Sequence, residues 1–548
     1  MKKYNPLKFI YYTIFVALLY FVILPVLAVI LYGVFPLDSI NHVGELAKRS
    51  LPLLKNSLVI ALVVTFFSVI IGLVSSIILW RYQFFTNKIL RYAMLLSLIN
   101  PPFVGSISFI MLFGKRGLIT HKLLGLSVSP FGFVGIVVMQ VLGLSSLAYL
   151  IISSSIVKID PTIEDAARNL GDSEISIFKN ITLKTMYPEI STAAVLVFLA
   201  SMADFGTPLI IGGAYQTLSS DLYIQITGVY DMKSAAISGI LLLIPCIILF
   251  LIQRNFTNKK TYYSLNMTNP DIIYKYYSKP LKYILFVITS SYCFLVVLKY
   301  SFIIIGAFTK QWGYNYTFTF EHLKKVLSRD LTPFFNSIKF AFFVALFASI
   351  LGVLLSYLIK RKSYKFRKIV DLIATLPAAV PGILLGIGYL VTFKYPLLGV
   401  GRFYLKKIPS IILLGSGIII YIISVFRYMN VGLRAGYALI EHINPNIEEA
   451  ARDLGQNENK IFTQIVLPLM SPAFSIAFFK NFSSAMTTLG AIIFLLLPSN
   501  KVAVQQIFQI ITSSAVGVAA AMALLLSVTI AIALGVFKFI NNKIMRIK

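Results

Sequence analysis

Long apolar runs alternate with short polar or Pro- and Gly-containing segments along the whole chain. A helix that crosses the hydrocarbon core of a bilayer needs about 20 consecutive apolar residues. The runs that approach or exceed this length lie at residues 9–35, 56–80, 92–113, 131–156, 191–211, 234–252, 281–308, 336–359, 369–393, 410–430, 473–497 and 514–540. The pattern therefore predicts an all-α polytopic membrane protein with about twelve transmembrane helices.

The composition supports a membrane protein and disfavours several other classes. Of the 548 residues, 58% are hydrophobic and 13% are charged, whereas soluble domains contain roughly 45–50% apolar and about 25% charged residues. The net charge of +29 comes from basic residues spread through short loops, and there are only 2 cysteines. A nucleic-acid-binding protein and a disulfide scaffold are therefore disfavoured, and we expect no nucleic-acid partner.

The distribution of charge between the loops predicts the orientation. With both termini in the cytoplasm, the inner loops carry more Lys and Arg than the outer loops, as the positive-inside rule requires. Most acidic residues also fall in the inner loops, which suits a surface that docks a protein. The Lys-flanked first run is too long for a signal-peptide core, so we expect it to be retained. The chain is thus predicted to be a multi-pass protein of the lipid bilayer.

The sequence contains an internal repeat. Asn56-Ser57, Gly72, Ser76 and Arg81 recur 280 residues later as Asn336-Ser337, Gly352, Ser356 and Arg361, and residues 165–171 recur 284 residues later as 449–455. Two halves of about six spans follow, and an even number of spans makes the repeats parallel. We predict a first half at 1–255 with a cytoplasmic loop at about 157–190, a cytoplasmic linker at 256–280, and a second half at 281–548 with a loop at about 440–472.

Each of these two loops predicts a short helix with defined ends. Asp160 and Asn444 suit the N-cap position, and the proline that follows each of them suits the first helical turn. Gly171 and Gly455 supply the left-handed residue that commonly ends a helix. Each loop is therefore predicted to contain a helix of about ten residues, roughly 15 Å long.

Both short helices carry an apolar stripe. The positions i, i+3, i+4 and i+7 are occupied by Ile163, Ala166, Ala167 and Leu170 in the first loop and by Ile447, Ala450, Ala451 and Leu454 in the second. The stripe either packs back on the membrane helices of the same chain or docks a separate partner. Because it occurs twice, on one side of the membrane and with charged residues at its rim, we favour an external partner with two matching sites.

The residues of these loops resemble the EAA motif of binding-protein-dependent ABC transporter permeases. The second loop matches the motif at Glu449, Ala450, Ala451, Gly455, Ile465, Leu467 and Pro468, and the first at Asp165, Ala166, Ala167, Gly171, Ile181 and Leu183. The first loop departs at Asp165, which keeps the charge of the motif's Glu, and at Lys184, which replaces the proline. We therefore expect the first loop to leave its short helix differently.

The resemblance implies a type I ABC importer permease-like fold and a mechanism. In such permeases the short helix of each loop, the coupling helix, sits in a groove of an ATPase subunit, and ATP-driven closure of the ATPase pair switches the permease between inward- and outward-facing states. The implied partners are two copies of a cytoplasmic ABC ATPase and an extracytoplasmic solute-binding protein. The residues assigned to coupling are Glu164, Asp165, Ala166, Ala167, Gly171, Glu448, Glu449, Ala450, Ala451 and Gly455.

The chain lacks the G-x-x-x-x-G-K-[ST] phosphate loop that cradles nucleotide phosphates. We therefore expect ATP to be hydrolysed by a separate subunit, with no cofactor bound by this chain and no enzymatic activity of its own. The four histidines fall in loops without metal-ligand spacing, so no metal site is predicted.

Two further stretches resemble the iron(III) transport branch of these permeases. They are Ala203-Asp204-Phe205-Gly206-Thr207-Pro208 and its second-half counterpart at 484–495. They give a candidate translocation path of Asp204, Gly206, Thr488 and Gly490. The implied cargo is ferric iron, and neighbouring branches that handle thiamine, polyamines or phosphonates supply the alternatives.

Asp204 allows two interpretations. A carboxylate inside a membrane span is a candidate functional group and could offer a hard oxygen ligand to a passing cation. Alternatively, it could accept hydrogen bonds from backbone N–H groups where Gly206 and Pro208 break the helix. Another charge within a span, Lys480, aligns with Leu196 of the first half and is expected to snorkel or to pair with a carboxylate.

Two other classes of function compete with an ABC permease. An ion-coupled secondary transporter would use several buried acids, yet only Asp204 lies well inside a predicted span, with Asp371 at the edge of another. Such a transporter would also have no use for two matching cytoplasmic helices. An intramembrane enzyme would need paired acids, a Ser/His arrangement or His ligands within the spans, and the sequence offers none of these.

Overall fold

Helices make up most of the structure, a computed structural model that describes residues 6–34, 40–97, 103–126, 130–156, 159, 161–257, 279–394, 413–513 and 515–546. The apolar runs of the sequence are the segments that form the long helices. Most of the predicted linker at 256–280 and the predicted N-cap residue Asp160 lie outside the described residues.

The helices of the first half are α1 Pro6–Leu18, α2 Leu24–Val34, α3 Ile40–Arg81, α4 Asn87–Leu96, α5 Val104–Phe113, α6 Phe133–Ile156, α7 Pro161–Asn169, α8 Glu174–Ile177, α9 Leu183–Ala203, α10 Gly206–Ile211, α11 Leu218–Ile224 and α12 Met232–Thr257. Short π-helical segments lie at Leu19–Ile23, Leu118–Leu123, Phe178–Thr182 and Gln225–Val229. Helices α1 and α2 are joined through one of these segments and form a single span.

The helices of the second half are α13 Lys279–Ala307, α14 Glu321–Leu327, α15 Thr332–Arg361, α16 Arg367–Thr375, α17 Gly382–Lys394, α18 Ile419–Ile440, α19 Pro445–Asp453, α20 Glu458–Lys460, α21 Leu467–Leu469, α22 Ser471–Met486, α23 Ala503–Thr512 and α24 Val516–Arg546. A π-helical segment lies at Ile461–Val466, and 3-10 turns lie at Leu376–Ala378 and Pro498–Asn500. Strands β1 Thr309–Gln311 and β2 Asn315–Phe318 form an antiparallel hairpin after α13, with Thr309 opposite Phe318 and Gln311 opposite Asn315.

The described residues contain eight helical stretches long and apolar enough to cross a membrane, where the sequence predicts about twelve. They are Pro6–Val34, Gly44–Arg81, Phe133–Ile156, Glu174–Ala203, Met232–Arg254, Leu281–Ala307, Thr332–Arg361 and Val516–Phe537. Two bent pairs raise the number to 10: α16 with α17, bent by 109°, and Glu458–Leu469 with α22, bent by 63°. The prediction of an all-α polytopic membrane protein is confirmed.

Two predicted spans are present in altered form. The run at 92–113 is divided between α4 and α5, and its central residues 98–102 lie outside the described part of the chain. The run at 410–430 corresponds to α18, which begins later, at Ile419, and carries Arg427 and Arg434 within its length. These charges lower the hydropathy of α18 below that of an ordinary span.

The predicted spans at 191–211 and 473–497 end earlier than their apolar composition indicates. Helix α9 stops at Ala203, and a separate short helix, α10, starts at Gly206. Helix α22 stops at Met486, and the chain then continues in turns. Both halves therefore break a membrane helix at the same point of the repeat.

The repeated serines occupy equivalent places in the two halves. The hydroxyl oxygen of Ser57 on α3 accepts a hydrogen bond from the Leu218 amide at 2.8 Å. The hydroxyl oxygen of Ser337 on α15 accepts one from the Ala503 amide, also at 2.8 Å. Ser57 thus fixes the start of α11 and Ser337 the start of α23, which explains why the sequence repeats the serine.

The repeated glycines allow two helix pairs to touch. A Cβ atom at Gly72 would lie 2.8 Å from the Tyr149 amide nitrogen on α6, and one at Gly352 would lie 2.2 Å from the Met429 carbonyl oxygen on α18. Small residues permit this close approach of backbones in membrane helices. The packing of α3 on α6 and of α15 on α18 therefore depends on glycine.

The first helix of each half packs on the other half. Helix α2 lies against α17, and the Tyr11 hydroxyl of α1 donates to the Lys365 carbonyl at 2.9 Å. In return, α13 lies against α3, α4 and α5, and its Tyr292 hydroxyl donates to the Leu142 carbonyl at 3.0 Å. The main apolar core is consequently continuous across both halves.

Replacement of Gly72 or Gly352 by alanine is expected to destabilise the protein, because the added methyl group meets backbone atoms that cannot move aside. Over-packing of this kind typically costs about 1–3 kcal/mol. Thermal unfolding of the purified protein in detergent would show a lower midpoint for each variant. Gly44→Ala in α3 is the control, since nothing lies within 4 Å of its added Cβ; a midpoint for Gly72→Ala equal to that control would contradict the prediction.

Candidate functional site

The two loop helices, α7 and α19, end alike. Each spans 9 residues, and the Asn444 side chain accepts a hydrogen bond from the backbone N–H two residues on, at 3.0 Å. Gly171 and Gly455 adopt φ values of +90° and +82°. The amide after each glycine donates to the carbonyl of Ala167 (3.1 Å) or Ala451 (3.0 Å), which is the Schellman arrangement that closes a helix. The predicted helices are therefore present, with the predicted glycine stops.

A buried ion pair holds α7 against the end of α3. The Arg81 guanidinium donates to both Glu164 oxygens, at 2.6 and 2.9 Å. The Thr182 hydroxyl donates to the same carboxylate at 2.7 Å. Glu164 is only 4% exposed and Arg81 only 8%, so the pair is shielded from water on all sides.

The second half has a looser counterpart of this ion pair, in which the glutamate is buried and the arginine is half-buried. Arg361, at the end of α15, lies 3.2 Å from a Glu448 oxygen of α19, and that oxygen accepts no hydrogen bond within the described part of the chain. The Tyr357 hydroxyl donates to the other Glu448 oxygen at 3.2 Å. We call Arg81–Glu164 and Arg361–Glu448 the clamp pairs. Glu164 and Glu448, which the sequence assigned to the coupling surface, therefore face inward and fix the loop helices to the membrane helices.

Three apolar side chains of each loop helix face outward. Leu170 and Leu454 are 88% and 83% exposed, and Ile163 and Ile447 are about half exposed. The alanine between them on the same face, Ala166 or Ala450, is also exposed. The predicted four-residue stripe therefore divides, because Ala167 and Ala451 are buried beside the clamp pairs. We call Ile163, Ala166 and Leu170, with Ile447, Ala450 and Leu454, the exposed triads.

Charged residues surround the exposed triads in both halves. Arg168 lies 2.5 Å from Asp165 and 2.8 Å from Glu174. In the second half, Arg452 lies 3.2 Å from Glu458, while Glu449 is exposed. These pairs brace each short helix against the segment that follows it.

The two loops leave their short helices differently, as the sequence predicts. The chain from Glu174 to Ala203 forms one continuous stretch of 30 residues that includes Lys184. In the second half, the equivalent stretch is bent by 63° between Leu469 and Ser471. Pro468 and Pro472 flank this break, and proline removes a backbone donor that a continuous helix needs.

A central cavity of about 410 Å³ lies between the two halves. All four residues of the predicted translocation path, Asp204, Gly206, Thr488 and Gly490, line it. The lining comes from the helix breaks after α9 and α22 and from the starts of α5 and α17. The sequence repeat has therefore brought together two equivalent breaks that lie 284 residues apart.

Asp204 binds the backbone of its own helix break. One carboxylate oxygen accepts hydrogen bonds from the amides of Gly206 (3.0 Å) and Thr207 (3.1 Å). The other accepts one from the Gln140 side chain at 3.0 Å, and Gln140 is in turn held by the Ser201 hydroxyl at 2.5 Å. Asp204 therefore accepts hydrogen bonds from the backbone at the helix break, which is the second of the two interpretations drawn from the sequence. Its carboxylate caps the start of α10 and also lines the cavity.

Two basic side chains that the sequence did not assign to the path also line the cavity. Lys299 of α13 is 2% exposed and lies with its Nζ atom 4.7 Å from the centre of the Tyr300 ring. Arg427 of α18 projects over Gly382, where a Cβ atom would fall 1.9 Å from its Nη1 atom. In the sequence, the feature that could have identified these two residues is the position of each charge within an apolar run. The described residues contain no group of three or more His, Cys, Asp or Glu side chains that could hold a metal ion.

A two-fold repeated bundle of membrane helices, with a central cavity and paired loop helices at one end, defines a membrane transport permease. Both halves match the family described as the binding-protein-dependent transport system inner membrane component, at residues 68–262 and 348–546. Because the two matches cover most of the chain, the protein belongs to this family. It is therefore a multi-pass membrane protein and the translocation component of a binding-protein-dependent transport system.

Two of three individual relatives extend over most of the chain, and the third covers about a third of it. It is 27% identical over 474 residues to the ferric transport system permease protein FbpB of Actinobacillus pleuropneumoniae, covering 83% of this chain and 67% of that protein. It is 24% identical over 466 residues to the Fe(3+)-transport system permease protein FbpB 2 of Haemophilus influenzae, covering 83% and 82%. It is also 30% identical over 196 residues to the molybdenum transport system permease protein ModB of Mycobacterium tuberculosis, covering 33% and 69%.

Replacement of Glu164 by alanine is expected to loosen α7, because Arg81 would remain buried without its carboxylate. Removal of one partner from a buried ion pair typically costs about 3–5 kcal/mol. Hydrogen–deuterium exchange at residues 161–171 should become faster, and the unfolding midpoint should fall. Glu448→Ala should act on α19 in the same direction but less strongly, because Arg361 is half-buried and also donates to the Ile440 carbonyl at 3.2 Å.

The matched controls are Asp165→Ala and Glu449→Ala, which remove a carboxylate from the next position of each helix. Exposed ion pairs contribute only about 0–1 kcal/mol, so exchange in the controls should stay near the wild-type rate. Equal exchange rates in Glu164→Ala and Asp165→Ala would contradict the structural role of the clamp pair.

Proposed function

We propose that this chain is the permease subunit of an ATP-driven importer that receives ferric iron from an extracytoplasmic binding protein. The observation that carries the proposal is the pair of exposed triads, each fixed to a long membrane helix by an ion pair with a buried glutamate. A surface repeated in this way suits a partner with two equivalent sites, which a pair of ATPase subunits provides. The relatives named for ferric transport support iron as the cargo.

Each exposed triad is proposed to sit in a groove of one ATPase subunit. Leu170 and Leu454 would enter the groove, because they are the most exposed apolar side chains of the two helices. Displacement of the ATPase would move α7 or α19, and the clamp pair would carry the movement to α3 or α15. Thr182, which also binds Glu164, connects the same movement to α9.

This assignment fixes the proposed orientation. The ends of α3 and α15 that bear Arg81 and Arg361 would face the cytoplasm, together with both chain termini. ATP would be hydrolysed by the partner subunits, and the halves at 1–255 and 281–548 would each contact one of them. An ion-coupled secondary transporter is less well supported, because Asp204 already accepts three hydrogen bonds from nearby groups.

The opposite end of the molecule offers a basic surface to the binding protein. A cavity of about 580 Å³ there is lined by residues that include Lys115, Arg116, Lys310 and Lys325. The Arg116 guanidinium stacks on the Tyr314 ring at 4.0 Å, which fixes the hairpin loop beside the start of the π-helical segment at Leu118. We propose that this surface attracts an acidic face of the binding protein.

Replacement of Leu170 and Leu454 together by glutamate should abolish ATP-driven uptake, because two charges would enter the apolar grooves of the ATPase. We expect the ATPase subunits to be lost on co-purification and ⁵⁵Fe uptake into proteoliposomes to fall to the level without ATP. The unfolding midpoint should change little, since exposed positions typically tolerate substitution within about 0.5 kcal/mol.

Phe85→Glu provides the matched control. Phe85 is 100% exposed in the turn between α3 and α4, at the same end of the molecule, but lies outside the loop helices. It should keep both the ATPase subunits and the uptake. Full ATP-driven uptake by the Leu170→Glu, Leu454→Glu variant would rule out the coupling assignment.

Affinity for the binding protein should fall as salt rises, because attraction between exposed charges is screened within about 10 Å at 0.1 M salt. Binding to the permease in nanodiscs is expected to weaken severalfold between about 50 and about 500 mM NaCl. Lys310→Glu should weaken binding at low salt, while Lys179→Glu, an exposed site at the other end, should not. An affinity that does not change with salt would contradict an electrostatic docking surface.

A further inference from the structure

We propose that the central cavity selects an oxyanion, and that iron(III) crosses as a complex with carboxylate or phosphate oxygens and not as a bare cation. The identity of the metal rests on the proposed function, whereas the preference for an anion rests on the cavity alone. The charged side chains, the helix ends and the unpaired polar atoms of the cavity lining support this preference.

The formal charges of the lining favour an anion. Lys299 and Arg427 both line the cavity, and among the described lining residues Asp204 alone is acidic. Its two carboxylate oxygens already accept hydrogen bonds from two amides and the Gln140 side chain. A bare trivalent cation would therefore meet two positive side chains and one carboxylate that is already occupied by donors.

Two helices, α5 and α17, begin at the cavity, and two others, α9 and α22, end at it. The two N-terminal ends are the ones suited to an anion. Gly105 and Ser106 lie in the first turn of α5, which has 10 residues, and Gly382 and Ile383 lie in the first turn of α17, which has 13. The first backbone N–H groups of a helix lack partners within the helix, and its N-terminus carries a partial positive charge. Interrupted membrane helices use such ends to hold anionic groups of a substrate.

Hydrogen-bond donors without a partner in the cavity lining are a second, independent indication that the cavity binds an anion. Ser106 is 2% exposed, and its hydroxyl has no hydrogen-bond partner among the described residues. The Nη1 atom of Arg427 is likewise buried without a partner in that part of the chain. Buried donors are normally paired, so an unpaired one marks a place for an acceptor. The planar guanidinium matches the paired oxygens of a carboxylate or phosphate.

Gly382 explains how the guanidinium reaches this position. Because a Cβ atom at Gly382 would fall 1.9 Å from Nη1 of Arg427, the guanidinium keeps this position at the start of α17 only while the residue there has no side chain. The volume of about 410 Å³ lies within the range of roughly 300–1,000 Å³ that is usual for small-molecule pockets. The cavity can therefore hold an ion together with its ligands.

The test uses the permease with its own ATPase and binding protein in proteoliposomes, supplied with ⁵⁵Fe and either [¹⁴C]citrate or [³²P]phosphate. We expect one anion to enter with iron in a fixed ratio, and the two arms distinguish a carboxylate from a phosphate ligand. Arg427→Gln should lower uptake of both labels by about tenfold or more, as expected for loss of a charged hydrogen bond. Arg427→Lys, which keeps the charge, should retain part of the uptake.

Lys480→Gln is the control, because it removes one positive charge from α22 at an exposed position outside the cavity lining. Its uptake should match the wild type, and assembly of Arg427→Gln with the ATPase establishes that this variant is folded. Iron uptake with both anions left outside would overturn the inference while leaving the iron importer intact. Uptake of an anion without iron, lost in Arg427→Gln, would support the inference and refute iron as the cargo; uptake of neither would overturn both.

Discussion

The pairing of an arginine with a buried glutamate, once in each half, is the interaction on which the rest of the arrangement depends. Charges are expensive to remove from water, and such a pair is stable only while both partners and their hydrogen bonds are in place. Arg81 and Glu164 therefore lock a surface helix to a long membrane helix with no freedom to slide. The ion pair also sets which face of the short helix is turned inward. Ala167 is therefore buried beside Glu164, while Leu170 is exposed.

Features set by local backbone chemistry could be predicted from the sequence. The glycine stops at Gly171 and Gly455, the cap at Asn444 and the different exits at Lys184 and Pro468 all follow from the conformations that single residues adopt. The ends of the membrane helices could not, because the apolar run continues without change past Ala203. The helix ends there because the Asp204 carboxylate accepts hydrogen bonds from the amides of Gly206 and Thr207. The hydropathy of the sequence does not reveal this interaction.

The candidate path was predictable only in part, for a topological reason. Asp204 and Thr488 fall at matching points of the repeat, so the internal symmetry of the sequence indicates that they meet. Lys299 and Arg427 have no charged counterpart at the matching position of the other half. Lys299 reaches the cavity because α13 packs on α3, α4 and α5 of the other half as well as on α24 of its own, and no pattern along the chain predicts this packing between the halves. The electrostatic character of the cavity therefore emerges only from the tertiary structure.

The 63° bend between Leu469 and Ser471 gives the two halves different shapes. The first half leads toward the cavity through one continuous helical stretch, Glu174–Ala203, whereas the second half bends in the corresponding place. A displacement of the two loop helices by the same amount would therefore follow a straight line on one side and change direction on the other. Two identical subunits could not divide the work in this way, so fusion of the halves into one chain permits an uneven stroke.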